Sequence, residues 1–599
     1  MSEPWDYPYK LFRRTLTFAA LTLVAVASAS AAEVSPVNSV DPGHGAPAAA
    51  AAATRKVVLS ALPNATEAEL FLRPRGVLGP LTGASAAEYA RRKAIAASRV
   101  GRPLEAPRTP TPPTKVGSGG PQPLTPSPKV SFAGNGQADC AGATPPKTPS
   151  DQALAIGDAA SPVVQVNNDC LSVWSPTGTR LLGPKTLQSF AGLAANEAVF
   201  DPRVLYDWYN HRFILAFGDS DLVGASYYDI AVSATDDPTG SWYVYRFATP
   251  SRGSAYNDFI RLGQDRQGVY LASNLFNLSG GAVGAFLYEE WVFLPKSALY
   301  AGTLGSNYWH QSGMQAYGLY TDSTQPANVW SPYDNPRAEF LVGSFNMNYG
   351  GGNCVNNCSG LVVWAIANPF GWINGGPSPE VSSVCCAGTS SYSLPPNASQ
   401  PGAPNSIETL DVRITGQVTY KSGVLHAALT TGDTTWSDVL IYRILPSLTN
   451  EDTRCSGQYQ FLCPQIGNAW TIEEARANYN GNFAFYPTPQ PDLEGNVLTV
   501  FNFSGPSCAI CYPGVGFGLS RAASNGGWAD YGLLVAPGQA PYKSVYWGRY
   551  TAAAPLGVGF VSNGAVAVPG AGFAGSYVAA NGNWATQIGD AAYTAQSQP

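Results

Sequence analysis

A degenerate internal repeat, running from about residue 150 almost to the C-terminus, restricts this chain more than any other feature. Each copy pairs two strands around a tight turn and adds an outer strand followed by a turn of small residues. The outer element reads IAVSATDDPTGSW (230–242), VWAIANPFGW (363–372), GFGLSRAASNGGW (516–528) and SYVAANGNW (576–584). The turn between inner strands reads RLGQDRQGVYLAS (261–273), VTYKSGVLHAAL (418–429) and PQPDLEGNVLTVF (489–501). A period longer than about forty residues signals solenoids or propellers, whose units bury their faces only by stacking on neighbours. With 599 residues the chain exceeds one ordinary core, yet a ring of small sheets uses that length in a single domain.

Roughly seven strand clusters follow from β-branched and aromatic runs punctuated by Gly, Asn or Asp. They lie near residues 162–183, 201–247, 258–302, 335–372, 411–448, 484–528 and 544–589. The expected fold is all-β, an approximately seven-bladed β-propeller over residues 151–599, with segments 305–331 and 375–404 as insertions on one rim. Ring closure protects sheet edges that would otherwise pair with other chains. A tandem of β-sandwiches is the competing architecture, and the wide, even period argues against it.

The N-terminus has the pattern of an export signal, assigned to residues 1–31. Lys10, Arg13 and Arg14 precede an apolar run over 16–27, and Ala29-Ser30-Ala31 offers a cleavage site. Arg13-Arg14 also hints at a twin-arginine route, which the following residues fit poorly. The run is too short for a permanent membrane anchor, so a soluble secreted or periplasmic product is expected. Residues 32–150 combine an alanine run (46–53) with a Pro-, Thr-, Gly- and Ser-rich stretch (107–128) and read as a disordered or weakly helical linker arm. Within it, AAEYARRKAIAASR (86–99) has helix-forming composition and is expected to be transient.

Charged residues make up 12% of the chain and the net charge is −6, without the basic stripe that nucleic acid requires. The ten cysteines suit an oxidising compartment. Cys354/Cys358, Cys455/Cys463 and Cys508/Cys511 read as loop staples, Cys140/Cys170 as a tie at the start of the ring, and Cys385-Cys386 as a vicinal disulfide or an outward-facing pair. Zinc half-sites and a thioredoxin-like Cys508–Cys511 are weaker readings, because no His stands at ligand spacing and no helix pattern follows the first Cys.

The segment TDDPTGSW (235–242) resembles the Asp-box turn of sialidase-like propellers, in which an Asp caps backbone amides and an aromatic packs on the blade. With DPRVLYD (201–207) and FIRLGQD (259–265), the chain is similar to a group of exported bacterial propellers mostly without assigned chemistry. The resemblance implies fold more than function, since the Asp box is a folding device remote from a sialidase's active site. A sialidase would also need an arginine triad, a Tyr activated by a Glu, and an acidic proton donor.

A partial echo of that arrangement exists. Asp201/Arg203, Asn335/Arg337 and Asp411/Arg413 place an Arg two residues after Asp or Asn at the expected starts of inner strands. Asp258/Arg261 is a looser copy, and Arg549 another candidate. Residues i and i+2 of a strand face one side, so these arginines are expected near the axis. They would there clamp an acidic ligand, or else pair with the acids and cap neighbouring backbones. Asp201, Asp258 and Asp411 are the candidate acid/base groups. Asp219, Asp221 and Asp229 could hold calcium through oxygen ligands, though they lack EF-hand ordering; no other cofactor is expected.

Trp291, Tyr308, Trp309 and Trp330 could stack on sugars or fill the core. The four histidines, His44, His211, His310 and His426, form no triad. Glu289-Glu290 and Glu473-Glu474 are adjacent and would face opposite ways in a strand. These observations favour a non-catalytic, monomeric exported propeller that binds a glycan, peptide or surface polymer. The alternative is a sialidase-like glycoside hydrolase or lyase acting at the axial opening, and a structural role in a cell-surface layer is a third reading.

Overall fold

The fold is seen in a computed structural model, which describes residues 40–66, 81–82, 84–98, 128–140, 149–158, 162–316, 318–345, 358–432, 436–449, 454–455, 458–477, 482–506, 511–520, 530–556 and 570–592. The expected signal sequence lies outside these residues. The described residues form an all-β propeller, built from antiparallel meanders whose first strands stand side by side around an axis.

The meanders follow chain order. The first comprises Ala153–Ile156, Val163–Asn167, Cys170–Trp174 and Arg180–Thr186. Ala198–Asp207, Arg212–Ser220, Ser226–Ser233 and Ser241–Ala248 make the next. Then come Ala255–Gln264, Gly268–Ser279, Ala282–Pro295 and Trp309–Ser312. After these stand Gln325–Val329, Ala338–Ser344, Leu361–Ala367 and Glu380–Ala387. Val418–Lys421, Val424–Thr431, Asp438–Leu448 and Ile466–Ala477 follow, then Phe483–Pro491, Val497–Ser504, Tyr512–Ser520 and Asp530–Gly538. The last has Ala552–Pro555, Gly570–Val578 and Trp584–Ala592, and its outer strand is Ser131–Gly136 from far upstream.

That borrowed strand closes the ring. Ala552–Pro555 lies against Ala153–Ile156, and a disulfide from Cys140 to Cys170 ties the closing segment to the first meander. The hydrophobic clusters sit between successive sheets. One joins Leu215, Phe217 and Trp242 to Val164 and Val173; another joins Tyr228 and Ile230 to Leu262 and Val292. Burial of these faces requires neighbouring sheets, the physical reason that the repeat is read as a ring.

Several inner hairpins end on an Asp that caps its own turn. Asp207 accepts from the amides of Tyr209 and Asn210, Asp265 from Gln267 and Gly268, and Asp492 from Glu494 and Asn496. At the outer turn of the second meander, Asp237 accepts from the Thr239 amide at 2.9 Å, and the buried Trp242 donates to the Pro238 carbonyl at 2.9 Å.

Three expectations need correction. Residues 32–150 are not uniformly a disordered arm: Ala53–Val58 extends the second meander, His44–Pro47 extends the third, and Ser131–Gly136 completes the last. The segment expected to be transiently helical is a docked helix, Ala86–Ala97. Segments 305–331 and 375–404 are not merely rim insertions, because they contain the innermost strand Gln325–Val329 and the outermost strand Glu380–Ala387 of one meander. Cys385 and Cys386 are joined as a vicinal disulfide. Cys358, Cys463 and Cys511 are also disulfide-bonded; their expected partners Cys354, Cys455 and Cys508 fall outside the described side chains.

Candidate functional site

The inner strands share a backbone feature that their sequences do not announce. Near the start of six of them a residue takes positive φ: Asp151 (25°), Asp201 (51°), Phe259 (58°), Ser323 (60°), Tyr486 (55°) and Gly548 (134°). Left-handed backbone is uncommon for residues with a side chain and persists where surroundings over-determine it. Here a side chain from an adjacent meander fixes the amide. Asp201 donates to Asn168 Oδ1 (3.0 Å), Phe259 to Asp201 Oδ2 (2.7 Å), Ser323 to Asn274 Oδ1 (2.9 Å) and Tyr486 to Thr430 Oγ1 (3.0 Å). Beside Gly548, Arg549 donates its amide to Asp151 Oδ1 (2.7 Å). The result is a circumferential chain of side-chain-to-backbone bonds around the axis.

This ring brings together most of the residues singled out from sequence. Phe259, fully buried, is its hub: the guanidinium carbons of Arg261, Arg413 and Arg203 lie 4.7, 5.2 and 5.8 Å from its ring centroid, and Tyr550 stacks on it at 5.7 Å. The quadrupole of the ring attracts each cation, by about 0.5–2 kcal/mol. Arg203 also lies 3.6 Å from the Tyr550 centroid and donates to the carbonyls of Ile260 and Thr415. Asp201 does not pair with Arg203; its second oxygen accepts from the Tyr550 hydroxyl at 3.0 Å. Asp411 and Arg413 form a bidentate pair at 2.8 and 2.7 Å, and Arg261 pairs with Glu289 at 2.5 Å. Repetition in successive sheets thus serves largely to cap and pair, with an aromatic ring on the axis.

Asp258 is different. Its Oδ2 is buried without a hydrogen-bond partner. Burial, reinforced by the nearby Asp201 charge and opposed by Arg549, Arg413 and Arg261, pushes its carboxyl up to about 7. Arg413 Nη1 and Arg261 Nε are likewise buried without partners. Burial pulls the Arg261 guanidinium down, whereas Arg413 is held above its usual range because Asp411 outweighs the burial that opposes it. Arg549 is raised as well, the carboxylates of Asp258 and Asp151 outweighing burial.

Other candidates fall elsewhere. Arg337 is exposed and precedes the second strand of its meander, with one long bond of 3.4 Å to the Thr449 carbonyl. Asp219 binds Arg246 at 2.7 and 2.8 Å beside Asp229, whose carboxyl is pushed well up by burial and by Asp219. Asp221 instead accepts from the amides of Val223, Gly224 and Ala225. No group of three or more potential metal ligands is found among the described residues. Trp291, Tyr308, Trp309 and Trp330 are all buried and so offer no sugar platform. His44 is exposed and His211 faces Asp158; burial lowers the half-buried His310 and takes the buried His426 down to about 3. Glu289 and Glu290 point apart, to Arg261 and to Tyr228. Glu473 and Glu474 likewise serve Arg443 and Ser390.

The helix Ala86–Ala97 and its leading residues pack against the segment 395–413 next to these groups. Ser85 caps it by accepting from the Glu88 amide at 3.2 Å, and Glu88 in turn holds Arg91 and Arg92. Arg413 donates to the carbonyl of Leu81 at 3.2 Å. Beside the helix opens a cleft of about 710 Å³, walled by Thr82 and Ser85, by Phe276, Val283 and Phe286 of the third meander, by Val545 and Tyr546, and with Glu408 on its border. Sequence reasoning missed this cleft and the hub Phe259. The cleft joins segments hundreds of residues apart, and Phe259 reads locally as one more strand aromatic.

No family model and no curated protein matches the chain. Among solved structures, an exo-β-1,3-galactanase from Phanerochaete chrysosporium shares 14% identity over 65% of this chain and 78% of its own, at a TM-score of 0.28. A Synechocystis apocarotenoid oxygenase shares 10% over 67% and 73%, at 0.34. A protein of unknown function from Dyadobacter fermentans shares 11% over 65% and 94%, at 0.26. Scores below 0.5 at such identities do not bear on what this chain does. No helix among the described residues is long and apolar enough to cross a membrane.

Proposed function

We propose that this chain is an exported, seven-bladed propeller with Asp-box-like outer turns that works as a non-catalytic binding protein, holding a glycan or another surface polymer in the cleft beside the helix Ala86–Ala97. One observation carries the reading: the axial acids and guanidiniums are largely consumed in capping and pairing around the buried Phe259. The open, aromatic-edged recess lies beside them. Half-buried Phe286 and Tyr546 offer ring faces, and the hydroxyls of Thr82 and Ser85 stand near them. That combination suits a sugar, whose apolar face stacks while its hydroxyls hydrogen-bond. A glycan array followed by calorimetry on the native chain and on a Phe286→Ala/Tyr546→Ala variant tests it. Retention of a glycan by the native chain alone, with unchanged melting, is the expected result; equal retention by both chains overturns the cleft as the site.

A second reading, a glycoside hydrolase acting at the axis, rests on Asp258. A buried carboxyl without a partner and held near 7 is what a general acid requires. Hydrolysis of an oligosaccharide by the native chain, abolished in Asp258→Asn, would decide for this reading.

A further inference from the structure

We infer that the propeller face carries a binding site for a primary ammonium group, which Lys93 of its own helix occupies in cis, and that a lysine-bearing peptide segment competes for it. Lys93 Nζ donates to the carbonyl oxygens of Leu410 (2.7 Å) and Pro395 (2.8 Å) and to Thr409 Oγ1 (3.0 Å), with the Glu408 carboxylate at 3.3 Å. An ammonium has three donors, and the socket presents three neutral acceptors and one negative charge. The flat, five-donor fork of Arg does not match this set. Every acceptor belongs to the propeller, and the helix contributes only the cation.

The socket does not depend on the helix for its shape. Glu408 accepts from the Leu410 amide at 2.8 Å, Thr409 donates to the Pro396 carbonyl at 2.9 Å, and the Tyr486 hydroxyl donates to the Glu408 carbonyl at 2.7 Å. The helix is attached through a small set of groups. Tyr89 donates to the Glu408 carboxylate, Tyr89 and Ala96 pack with Leu394, and Glu88 is spent on Arg91 and Arg92 of the same helix. Isolated helices shorter than about 12–15 residues are marginal in water, so the 12 residues of this helix are held by the docking rather than by propensity. Burial pulls the Lys93 ammonium below its usual range despite Glu408, the cost of placing a cation there. The helix buries two cations, but Arg92 is held by Glu88 of the helix itself and Lys93 alone enters the socket. Such a short helix is a replaceable occupant, and its release would uncover Arg413, to which Leu81 is now bonded.

Full-length Lys93→Ala tests this by emptying the socket and leaving its acceptors in place. Amide hydrogen exchange across residues 86–97 should accelerate about tenfold or more, while the propeller melts as before. n-Butylammonium should restore protection in this variant and n-butanol should not. A synthetic peptide of residues 85–98 should bind the variant more tightly than the native chain, whose socket is filled. The same peptide with norleucine for the lysine should lose that binding. Unchanged exchange in Lys93→Ala, equal rescue by butanol, or equal binding of the norleucine peptide would each overturn the inference. Lys93→Arg guards against a folding artefact: it should also loosen the helix while keeping the propeller folded. Collapse of the propeller in both variants would overturn the inference too, since the helix would then be core rather than occupant. None of these outcomes depends on whether the cleft holds a glycan.

Discussion

Replacing Asp258 by Asn should make the protein more stable at alkaline pH, and the size of the effect follows from the axial geometry. The folded carboxyl is held near 7 against an ordinary value of 3.8, because it is buried with an unpartnered oxygen next to Asp201. Its folded state therefore binds a proton that the unfolded state releases, and stability declines as pH rises from about 4 to about 7. The two values correspond to about 4 kcal/mol over the full window, of which about 3 kcal/mol falls between pH 5 and pH 8. Asn cannot ionise and takes no part in that decline. Glu290, also pushed to about 7 by burial, contributes equally to both chains and cancels in the comparison. Urea unfolding of native protein and Asp258→Asn, at pH 5 and pH 8 with disulfides intact, provides the measurement. The variant should gain about 3 kcal/mol relative to the native chain on going from the lower pH to the higher. A difference that is the same at both pH values would refute the reasoning, because Asp258 would then be ionised and compensated in the fold.

Asp201→Ala should destabilise by about 2–6 kcal/mol, since it strands both the Phe259 amide and the Tyr550 hydroxyl; a midpoint unchanged in urea would show that the axial ring is not structural. Asp201→Asn, which keeps an acceptor and tolerates positive φ, should cost less in the same titration. Arg413→Ala should cost about 3–5 kcal/mol by removing the guanidinium that neutralises the buried Asp411, with thermal melting as the check. Removing the Cys140–Cys170 bridge in a Cys140→Ser/Cys170→Ser variant opens a loop of 30 residues. Chain entropy then predicts a loss of about 3–4 kcal/mol, together with faster exchange in the closing strand Ser131–Gly136. Equal exchange in that strand would show that the closure is held by its sheet partners alone.

The radial order of the sheets was legible because it rests on local signals. Strand periodicity, Asp-capped turns such as Asp207 and Asp265, and a Trp such as Trp242 recur along the chain and are recognisable within one module. The gathering of Asp201, Asp258, Arg261 and Arg413 was expected from their places near the starts of inner strands, but alternation alone does not produce it: Arg413 precedes its strand Val418–Lys421, and a bulge separates Asp258 from Arg261. Arg337 misled: its triplet copies the pattern, but the weak strand Gln325–Val329 had already taken the inner position. The N-terminal strands misled because an edge strand such as Ala53–Val58 is chosen by the sheet it completes, not by its own composition.

Local residue patterns are enough to show that this chain is made of repeating β-modules, where many of its turns fall, and which charged side chains lie near the inner strands. Folding of the whole ring settles that those side chains are consumed around Phe259, that Asp258 Oδ2 is buried without a partner, and that Lys93 is seated between Pro395 and Leu410. The division is physical. Turns and strand faces are set by neighbours a few residues away, whereas hydrogen-bond saturation and desolvation depend on groups that meet only when the ring closes across hundreds of residues.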